Sequence, residues 1–424
     1  MTLNRREFIQ WLSAGAGVSA VAGCAGTGDG PTVGRVVVIG AGYAGATAAK
    51  YIRLWSPDIE VTLVERNGEF ISCPLSNLVL GGSKTLADIT VGYGGLDKYG
   101  VKRVRDDAVA VDPVKREVRL ASGATLGYDR LIVAPGIDFM YDTLPGLNNA
   151  DAQSRVLHAW KAGAQTVALR KQLEAMPDGG VYALHIPAAP YRCPPGPYER
   201  ACQVAHYFKT AKPKSKVLVL DANPDVTSKA GLFKAAWNGP YKDIVEYRPN
   251  SELVDVDVKT LTARLQFDNV KADVLNVVPP HGAGQIARQT GLITANNRWC
   301  GVDWSTLESL KVKSVHVLGD ATLSAQLMPK SGHMANQHAK VCAAAVIALI
   351  KNQPVNPQPM MINTCYSFVD DKNVIHVASV HTYNATDKTM LPVKGAGGLS
   401  DKANELEGAY AMSWAKNIWA DMLA

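Results

Sequence analysis

The sequence lacks the features that would assign it directly to a membrane-spanning or nucleic-acid-binding class. No uninterrupted apolar run reaches about 18 residues, so no transmembrane helix is predicted in the mature chain. The lysines and arginines form no basic run and the net charge is only +6, so nucleic acid is not expected as a partner.

The seven cysteines also lack the spacings of familiar sites. None belongs to a Cys-x-x-Cys pair or to a zinc pattern, and no Cys-x-x-Cys-His stretch could attach a c-type haem to this chain. Any functional pair must therefore meet through the fold. Cys202, Cys300 and Cys342 lie in apolar or helical contexts and are interpreted as ordinary buried thiols. His333 and His338 are five residues apart, which does not suit a helical metal site.

The first 30 residues are predicted to stand apart from the fold as a twin-arginine (Tat) export signal. Residues Asn4 to Phe8 read Asn-Arg-Arg-Glu-Phe and precede a weakly apolar stretch with a small-residue tail. We therefore expect a periplasmic protein. The stretch Val21 to Cys24 also resembles a lipoprotein processing box, so a lipid anchor on Cys24 is an alternative to cleavage nearby.

The segment that follows has the order of a dinucleotide-binding unit. The β-branched run Arg35 to Ile39 predicts a buried parallel strand that leads into Gly-Ala-Gly-Tyr-Ala-Gly. A helix pattern, Ala46 to Leu54, and a second strand, Glu60 to Val64, come next. Strand, glycines, helix and strand in this order predict binding of a dinucleotide at the helix N-terminus.

Each glycine of this turn has a predicted role, and so does the acid that follows the second strand. Gly40 would permit the tight turn, Gly42 the close approach of a pyrophosphate, and Gly45 the close packing of helix on strand. Glu65 comes 20 residues after Gly45, where a carboxylate accepts hydrogen bonds from ribose hydroxyls.

Two later stretches favour FAD as the dinucleotide. Tyr128 to Gly136 is a strand ending in a small-residue turn, and Val315 to Ala321 is a strand ending in Gly-Asp. Both resemble motifs of flavoproteins of the glutathione reductase type. That resemblance implies that Asp320 contacts the ribityl chain of the flavin; a simple helix cap is the alternative.

A second Rossmann-like unit is predicted without its phosphate cradle. Gly180 to Ile186 and Lys216 to Asp221 read as its strands, but the stretch between them, Pro187 to Glu199, carries prolines where glycines are expected. Proline has no N–H donor and blocks close approach of a phosphate. We therefore predict that the protein does not use a pyridine nucleotide.

From about Val33 to the C-terminus, the chain closely resembles the flavoprotein subunit of flavocytochrome c sulfide dehydrogenase. Five stretches carry the resemblance: Ser72 to Asn77 before Gly81-Gly82, Arg192 to Arg200, Met328 to Gly332, Asn363 to Ser367, and Tyr410 with Ser413-Trp414.

The resemblance implies a flavin site. Cys73 is similar in position to the cysteine that forms a thioether with the flavin 8α-methyl carbon; a free buried cysteine is the alternative, since the family usually has an aromatic residue where this chain has Pro74. Lys330, in the Met-Pro-Lys-Ser-Gly stretch, is expected to be a cofactor-binding residue together with Asp320.

The resemblance also implies a catalytic site. Cys193 and Cys365, which are 172 residues apart, would form a redox-active disulfide. A structural disulfide or a Cys193–Cys202 pair are the alternatives. Glu199 matches a proposed base, and its alternative is a solvent-exposed helix start. The three prolines near Cys193 would stiffen its loop and hold the sulfur in place.

The predicted fold class is α/β: two Rossmann-like domains of the glutathione reductase type and a C-terminal α+β interface domain. The predicted limits are 31–146 with 288–355 for the FAD-binding domain, 147–287 for the second domain, and 356–424 for the interface domain. In the last, Tyr410, Trp414 and Ile418 recur every four residues and predict one apolar helical face. That face would dock a partner, cover the flavin or pack on the core.

The predicted function is FAD-dependent oxidation of sulfide, a small inorganic sulfur substrate, at the disulfide. Electrons would pass through FAD to haem c on a separate cytochrome subunit in a heterodimer. A sulfide:quinone oxidoreductase shares the fold and the cysteines and is the first alternative. A non-catalytic flavoprotein of an electron-transfer complex is the second.

Overall fold

The structure, a computed structural model, describes residues 32–424. The predicted export signal and Cys24 lie outside the described residues, so they stay predictions. Across the described part, no helix is both long enough and apolar enough to cross a membrane.

The described residues form both helices and strands. The strands, in chain order, are β1 Gly34–Ile39, β2 Ile59–Val64, β3 Glu69–Ile71, β4 Thr90–Gly92, β5 Lys102–Val104, β6 Ala108–Asp112, β7 Glu117–Leu120, β8 Thr125–Gly127, β9 Arg130–Val133, β10 Ile137–Phe139, β11 Val181–Ile186, β12 Lys216–Asp221, β13 Val245–Arg248, β14 Leu253–Asp257, β15 Thr262–Leu265, β16 Asn269–Lys271, β17 Val274–Val277, β18 His281–Ala283, β19 Val315–Val317, β20 Met360–Phe368, β21 Val374–Asn384 and β22 Thr389–Leu399. The α-helices are α1 Tyr43–Trp55, α2 Ser76–Gly81, α3 Ala150–Arg155, α4 Ala164–Ala175, α5 Gly196–Ala211, α6 Ala230–Asn238, α7 Gln285–Gln289, α8 Gly332–Ile350 and α9 Glu405–Leu423.

The first dinucleotide-binding unit is a five-stranded parallel sheet in the order β19-β9-β1-β2-β5. Strands β1, β2, β9 and β19 are largely buried and rich in β-branched residues, as both-face burial requires, while β5 is a partly exposed edge strand. Helices α1 and α8 pack against each other on this sheet. The predicted strands are confirmed, while α1 begins at Tyr43 rather than at Ala46, because the chain turns helical directly after Gly42.

A second parallel sheet, in the order β13-β12-β11-β17, forms the second Rossmann-like unit. Strands β11 and β12 pair in register from Val181 with Lys216 to Ile186 with Asp221, at the positions predicted from the sequence. The last element is an antiparallel sheet, β20-β21-β22, followed by α9. The α/β fold class is therefore confirmed; the predicted domain limits stay a prediction.

Candidate functional site

A cavity of roughly 890 Å³ lies at the carboxyl ends of the strands of the first sheet. Its walls include the residues that follow β1 and β2, the loop before α5, and part of β20. Ligands of open α/β sheets bind in the crevice outside these strand ends. The cavity is within the size range of cofactor sites.

The glycine turn at this cavity has the shape that a pyrophosphate requires. Gly40 has φ +91°, a left-handed conformation that favours glycine. A Cβ on Gly45 would lie 1.8 Å from the carbonyl oxygen of Gly40, so only glycine allows the helix to approach the strand. A Cβ on Gly42 would meet no atom within 4 Å, because that position faces the cavity.

The start of α1 is left free for an anion. Its N-cap, Gly42, supplies no side-chain acceptor for the first backbone N–H groups. The N-terminus of a helix attracts negative charge through these N–H groups and through the helix dipole. Glu65 supports the turn, since its Oε2 accepts a hydrogen bond of 2.8 Å from the N–H of Ala41.

Alanine substitutions at Gly45 and Gly42 should have different effects, the first on stability and the second on flavin binding. Gly45→Ala should lower the free energy of unfolding by about 2 kcal/mol or more, because the new methyl group must displace backbone. Gly42→Ala should leave the unfolding midpoint of the flavin-free protein unchanged but lower the flavin content, because the methyl group fills the pyrophosphate position. Thermal unfolding and flavin absorbance of both purified variants measure this, and equal stability of the two variants would contradict it.

Asp320 provides a buried acceptor in the same cavity. It lies in a single 3₁₀ turn, Gly319–Ala321, directly after β19. Its Oδ1 is buried without a hydrogen-bond partner among the described residues, and burial raises the pKa of its carboxyl group. A buried, unpartnered carboxylate oxygen requires a donor, and the hydroxyl of a ribityl chain suits this position. The residues therefore fit FAD.

Lys330 links Asp320 to the loop of Cys193. Its Nζ donates to the carbonyl oxygen of Asp320 at 3.0 Å, and its own carbonyl oxygen accepts from the N–H of Cys193 at 2.7 Å. The ammonium lies 3.8 Å from the ring centre of Trp299, and burial lowers the pKa of Lys330 to about 8. Its ammonium thus binds protein carbonyls at the cavity wall, and direct contact with a cofactor stays a prediction.

The three cysteines singled out in the sequence, Cys73, Cys193 and Cys365, all line the cavity. The structure holds them as free thiols, so the disulfide between Cys193 and Cys365 stays a prediction. Burial raises the pKa of the thiols of Cys193 and Cys365. Cys202, Cys300 and Cys342 are fully buried free thiols away from the cavity walls, as predicted.

Backbone conformation holds Cys193 at the cavity. Its φ of 59° is left-handed, which is unusual for a residue with a Cβ and is typical of functional sites. Its Sγ approaches α5 so closely that a Cβ on Gly196 would lie 2.8 Å away. The prolines on either side and the glycine that begins α5 therefore act together to place this sulfur.

Glu199 is not a solvent-exposed helix start. Its Oε2 accepts from Nδ2 of Asn77 at 2.7 Å, and its Oε1 accepts from the N–H of Phe368 at 2.8 Å. Burial raises the pKa of this carboxyl group, and the side chain lines the cavity. Glu199, on helix α5, is thus hydrogen-bonded to both helix α2 and strand β20 at the cavity wall.

Two residues of the site were missed by sequence reasoning. Arg200 is 1% exposed, and its guanidinium donates to the side chains of Asn77 and Asn276 and to backbone carbonyls. It lies 4.8 Å from the ring centre of Trp160, another cavity residue. The sequence feature that could have identified Arg200 as a site residue is its position directly after Glu199 in a largely apolar helix.

In the second unit, the position that binds ribose in dinucleotide folds is closed. Asp221 ends β12, and its Oδ2 accepts from the hydroxyls of Tyr198 and Tyr247 at 2.8 and 3.0 Å. Its Oδ1 accepts from the N–H and the side-chain amide of Asn223. Hydrogen bonds from the protein therefore use both carboxylate oxygens of Asp221, which leaves them unavailable to a ribose. The prediction that pyridine nucleotides are not used rests on these hydrogen bonds as well as on the prolines.

The predicted apolar face of α9 needs a correction. Ile418 is buried and Trp414 lines the cavity, but Tyr410 is 52% exposed. A spacing of four residues drifts about 40° per step around a helix of 3.6 residues per turn, so the three side chains do not share one face. The helix instead packs through the residues Gly408, Ala411, Ala415, Ile418 and Met422.

His333 and His338 have separate structural partners. Nδ1 of His333 accepts from the N–H of Thr364, and Nδ1 of His338 accepts from the N–H of Gly319. Among residues 32–424, no three metal-ligating side chains are grouped to hold a metal ion.

Three family models match the chain. "Pyridine nucleotide-disulphide oxidoreductase" matches residues 34–173. "Sulfide dehydrogenase [flavocytochrome c] flavoprotein chain, central" matches residues 166–279. "Flavocytochrome c sulphide dehydrogenase, flavin-binding" matches residues 357–423.

The similar individual proteins are of two kinds, a flavocytochrome c flavoprotein chain and sulfide:quinone oxidoreductases. A sulfide dehydrogenase [flavocytochrome c] flavoprotein chain from Chlorobaculum thiosulfatiphilum is 56% identical over 45 residues, which are 11% of this chain and 94% of that sequence. The mitochondrial sulfide:quinone oxidoreductases of Dictyostelium discoideum and Mus musculus are 22% and 24% identical over 68% of this chain, and the match spans 65% of the length of each. The crystal structure of the sulfide:quinone oxidoreductase from Aquifex aeolicus superposes with a TM-score of 0.72 at 18% identity, covering 92% of this chain and 91% of that one.

Proposed function

Because this chain belongs to the flavoprotein chains of flavocytochrome c sulfide dehydrogenase, we propose that it oxidises sulfide at Cys193 and Cys365 and passes the electrons to a c-type cytochrome. The observation that carries the proposal is the cavity itself: two cysteines 172 residues apart line it together with the residues that fit FAD.

The first step uses the disulfide form of the two cysteines. Hydrosulfide attacks one sulfur, a new S–S bond forms to the incoming sulfur, and the bonding electron pair of the old S–S bond leaves on the other cysteine as thiolate. The products are one cysteine persulfide and one thiolate. A second hydrosulfide or another thiol acceptor then removes the sulfane sulfur, which leaves a dithiol.

Glu199 is suited to proton transfer at this step. Its raised pKa brings protonation closer to neutral pH, and its two oxygens are positioned by Asn77 and Phe368 at the cavity wall. We propose that it accepts the proton of an incoming H₂S and so delivers hydrosulfide. Arg200, a buried cation beside it, favours an anionic substrate.

Gly40, Gly42, Gly45, Glu65 and Asp320 would hold FAD, with Cys73 as the proposed site of the covalent thioether and Lys330 supporting Asp320. Bound FAD would supply two-electron oxidation of the thiols and one-electron transfer to a haem. The chain's own residues supply position: the glycine turn accommodates the pyrophosphate, and the proline-rich loop holds Cys193 at the same cavity.

The haem is proposed to lie on a separate cytochrome subunit, since this sequence has no Cys-x-x-Cys-His stretch. We also propose Tat export to the periplasm, on the basis of the Arg5-Arg6 pattern. A quinone acceptor is the second candidate, and it is favoured by the sulfide:quinone oxidoreductases among the relatives.

Acceptor competition tests the proposal. Purified protein with excess sulfide should reduce a soluble c-type cytochrome at least about tenfold faster than it reduces a short-chain quinone, a difference of about 1.4 kcal/mol in activation free energy. The control omits sulfide. Faster turnover with quinone would transfer the function to the second candidate, and no turnover with either acceptor would contradict sulfide oxidation.

A further inference from the structure

Lys229 is a buried lysine that has no part in the site described so far. It is 5% exposed and precedes α6 in the second Rossmann-like unit, with a left-handed φ of 57°. Such a conformation costs a residue with a Cβ on the order of 1 kcal/mol and persists where the surroundings require it. Its side chain reaches across to the C-terminal sheet.

The ammonium of Lys229 lies on the face of β20 that carries the Cys365 side chain. Its Nζ donates to the carbonyl oxygen of Cys365 at 3.0 Å, to Oγ of Ser367 at 2.7 Å and to the carbonyl oxygen of Ile375 at 3.3 Å. Side chains two residues apart on a strand project from the same face. Because the ammonium contacts the side chain of Ser367, it lies on the side of the strand from which the Cys365 thiol projects.

This ammonium has no carboxylate as a direct partner among the described residues, since its three contacts are neutral oxygens. Burial lowers the pKa of Lys229 to about 8, while the ionised forms of Cys365, Glu199, Cys193 and Glu407 oppose that shift, with Cys365 foremost. A buried cation without a counter-ion is costly. A thiolate on Cys365 would supply that counter-ion.

The other sulfur, Cys193, faces different cations, Arg192 and Arg200. Burial raises the pKa of the Cys193 thiol, and Arg192 opposes this shift. Burial also raises the pKa of Cys365, but there Lys229 opposes it, together with side-chain hydrogen bonds to Asn363 and Ser331. The two cysteines therefore face different charges within one cavity.

We propose that Lys229 is a positioning residue that stabilises the thiolate of Cys365 and makes Cys365 the more acidic of the two cavity thiols. The inference rests on the proposed function for its role in turnover. There, hydrosulfide attacks Sγ of Cys193, the Cys193–Cys365 bond breaks, and its electron pair leaves on Cys365. The persulfide then resides on Cys193, because the thiol with the more stable thiolate is the better leaving group.

Alkylation without sulfide tests the proposal separately from the enzyme reaction. The reduced holoprotein is treated with iodoacetamide across a pH series, quenched and digested, and the modification of each cysteine is followed by mass spectrometry. In the unsubstituted protein, Cys365 should react at lower pH than Cys193. In Lys229→Gln, the midpoint for Cys365 should rise by about one pH unit or more, since an opposite charge nearby shifts a pKa by that amount.

Two variants control the test. Lys229→Arg keeps the charge and should keep the midpoint of Cys365. Lys234→Gln removes an exposed lysine of α6, paired with Asp225, and should also leave it in place. A folded Lys229→Gln protein with an unshifted Cys365 profile would overturn the proposal. If that variant does not fold, the unsubstituted protein decides alone: earlier reaction of Cys193 would equally overturn it.

Discussion

Replacing Cys193 with serine should lower the rate of sulfide-dependent flavin reduction by roughly a thousandfold or more, as removal of a covalent catalyst does in other enzymes. A hydroxyl oxygen cannot form the disulfide that accepts hydrosulfide, so the two electrons of the substrate lose their route through the thiol pair. Anaerobic stopped-flow absorbance of the flavin after mixing with sulfide measures this rate.

The same loss is expected for Cys365→Ser, and the double variant should be no slower than either single variant. Groups that act as one unit show this non-additivity. Cys202→Ala is the matched control, because Cys202 lies in α5, the helix that follows the loop of Cys193, but is fully buried in the core. Flavin reduction at the original rate in Cys193→Ser would exclude the disulfide mechanism.

Replacing Cys73 with serine should move the flavin from the protein pellet to the supernatant after acid precipitation. In the unsubstituted protein, a thioether would keep nearly all flavin in the pellet. A serine hydroxyl is a far weaker nucleophile than a thiolate and should form no such bond. The native variant should nevertheless bind FAD, because the glycine turn and Asp320 are unchanged; flavin absorbance of both fractions gives the result.

Cys365→Ser is the control for this experiment, since that cysteine lines the same cavity and its flavin should stay in the pellet. A yellow pellet from Cys73→Ser would mean that another residue holds the flavin. A yellow supernatant from the unsubstituted protein would mean that Cys73 has a different role. Either outcome leaves the dinucleotide fold itself intact, because the fold rests on the sheet and its glycine turn.

The parts of the site that were predictable are those encoded by adjacent residues. The strand from Gly34 to Ile39, the turn at Gly40 and the helix that follows depend on backbone conformation and packing within a few residues. The prolines before α5 similarly predicted, from local sequence alone, that this loop does not bind a phosphate. The pairing of Cys193 with Cys365 was predicted only from resemblance to a family. A large separation along the chain does not determine how close two side chains lie in the folded protein.

The sequence by itself determined that this chain has a dinucleotide-binding turn, because glycine spacing, strand and helix act over short range. Only the tertiary structure decided that Cys73, Cys193 and Cys365 share one cavity, that Glu199 and Arg200 are buried beside them, and that Lys229 reaches the strand of Cys365. Such convergence follows from the packing of sheets whose residues are far apart in the chain, and burial then decides which charges act on which thiol.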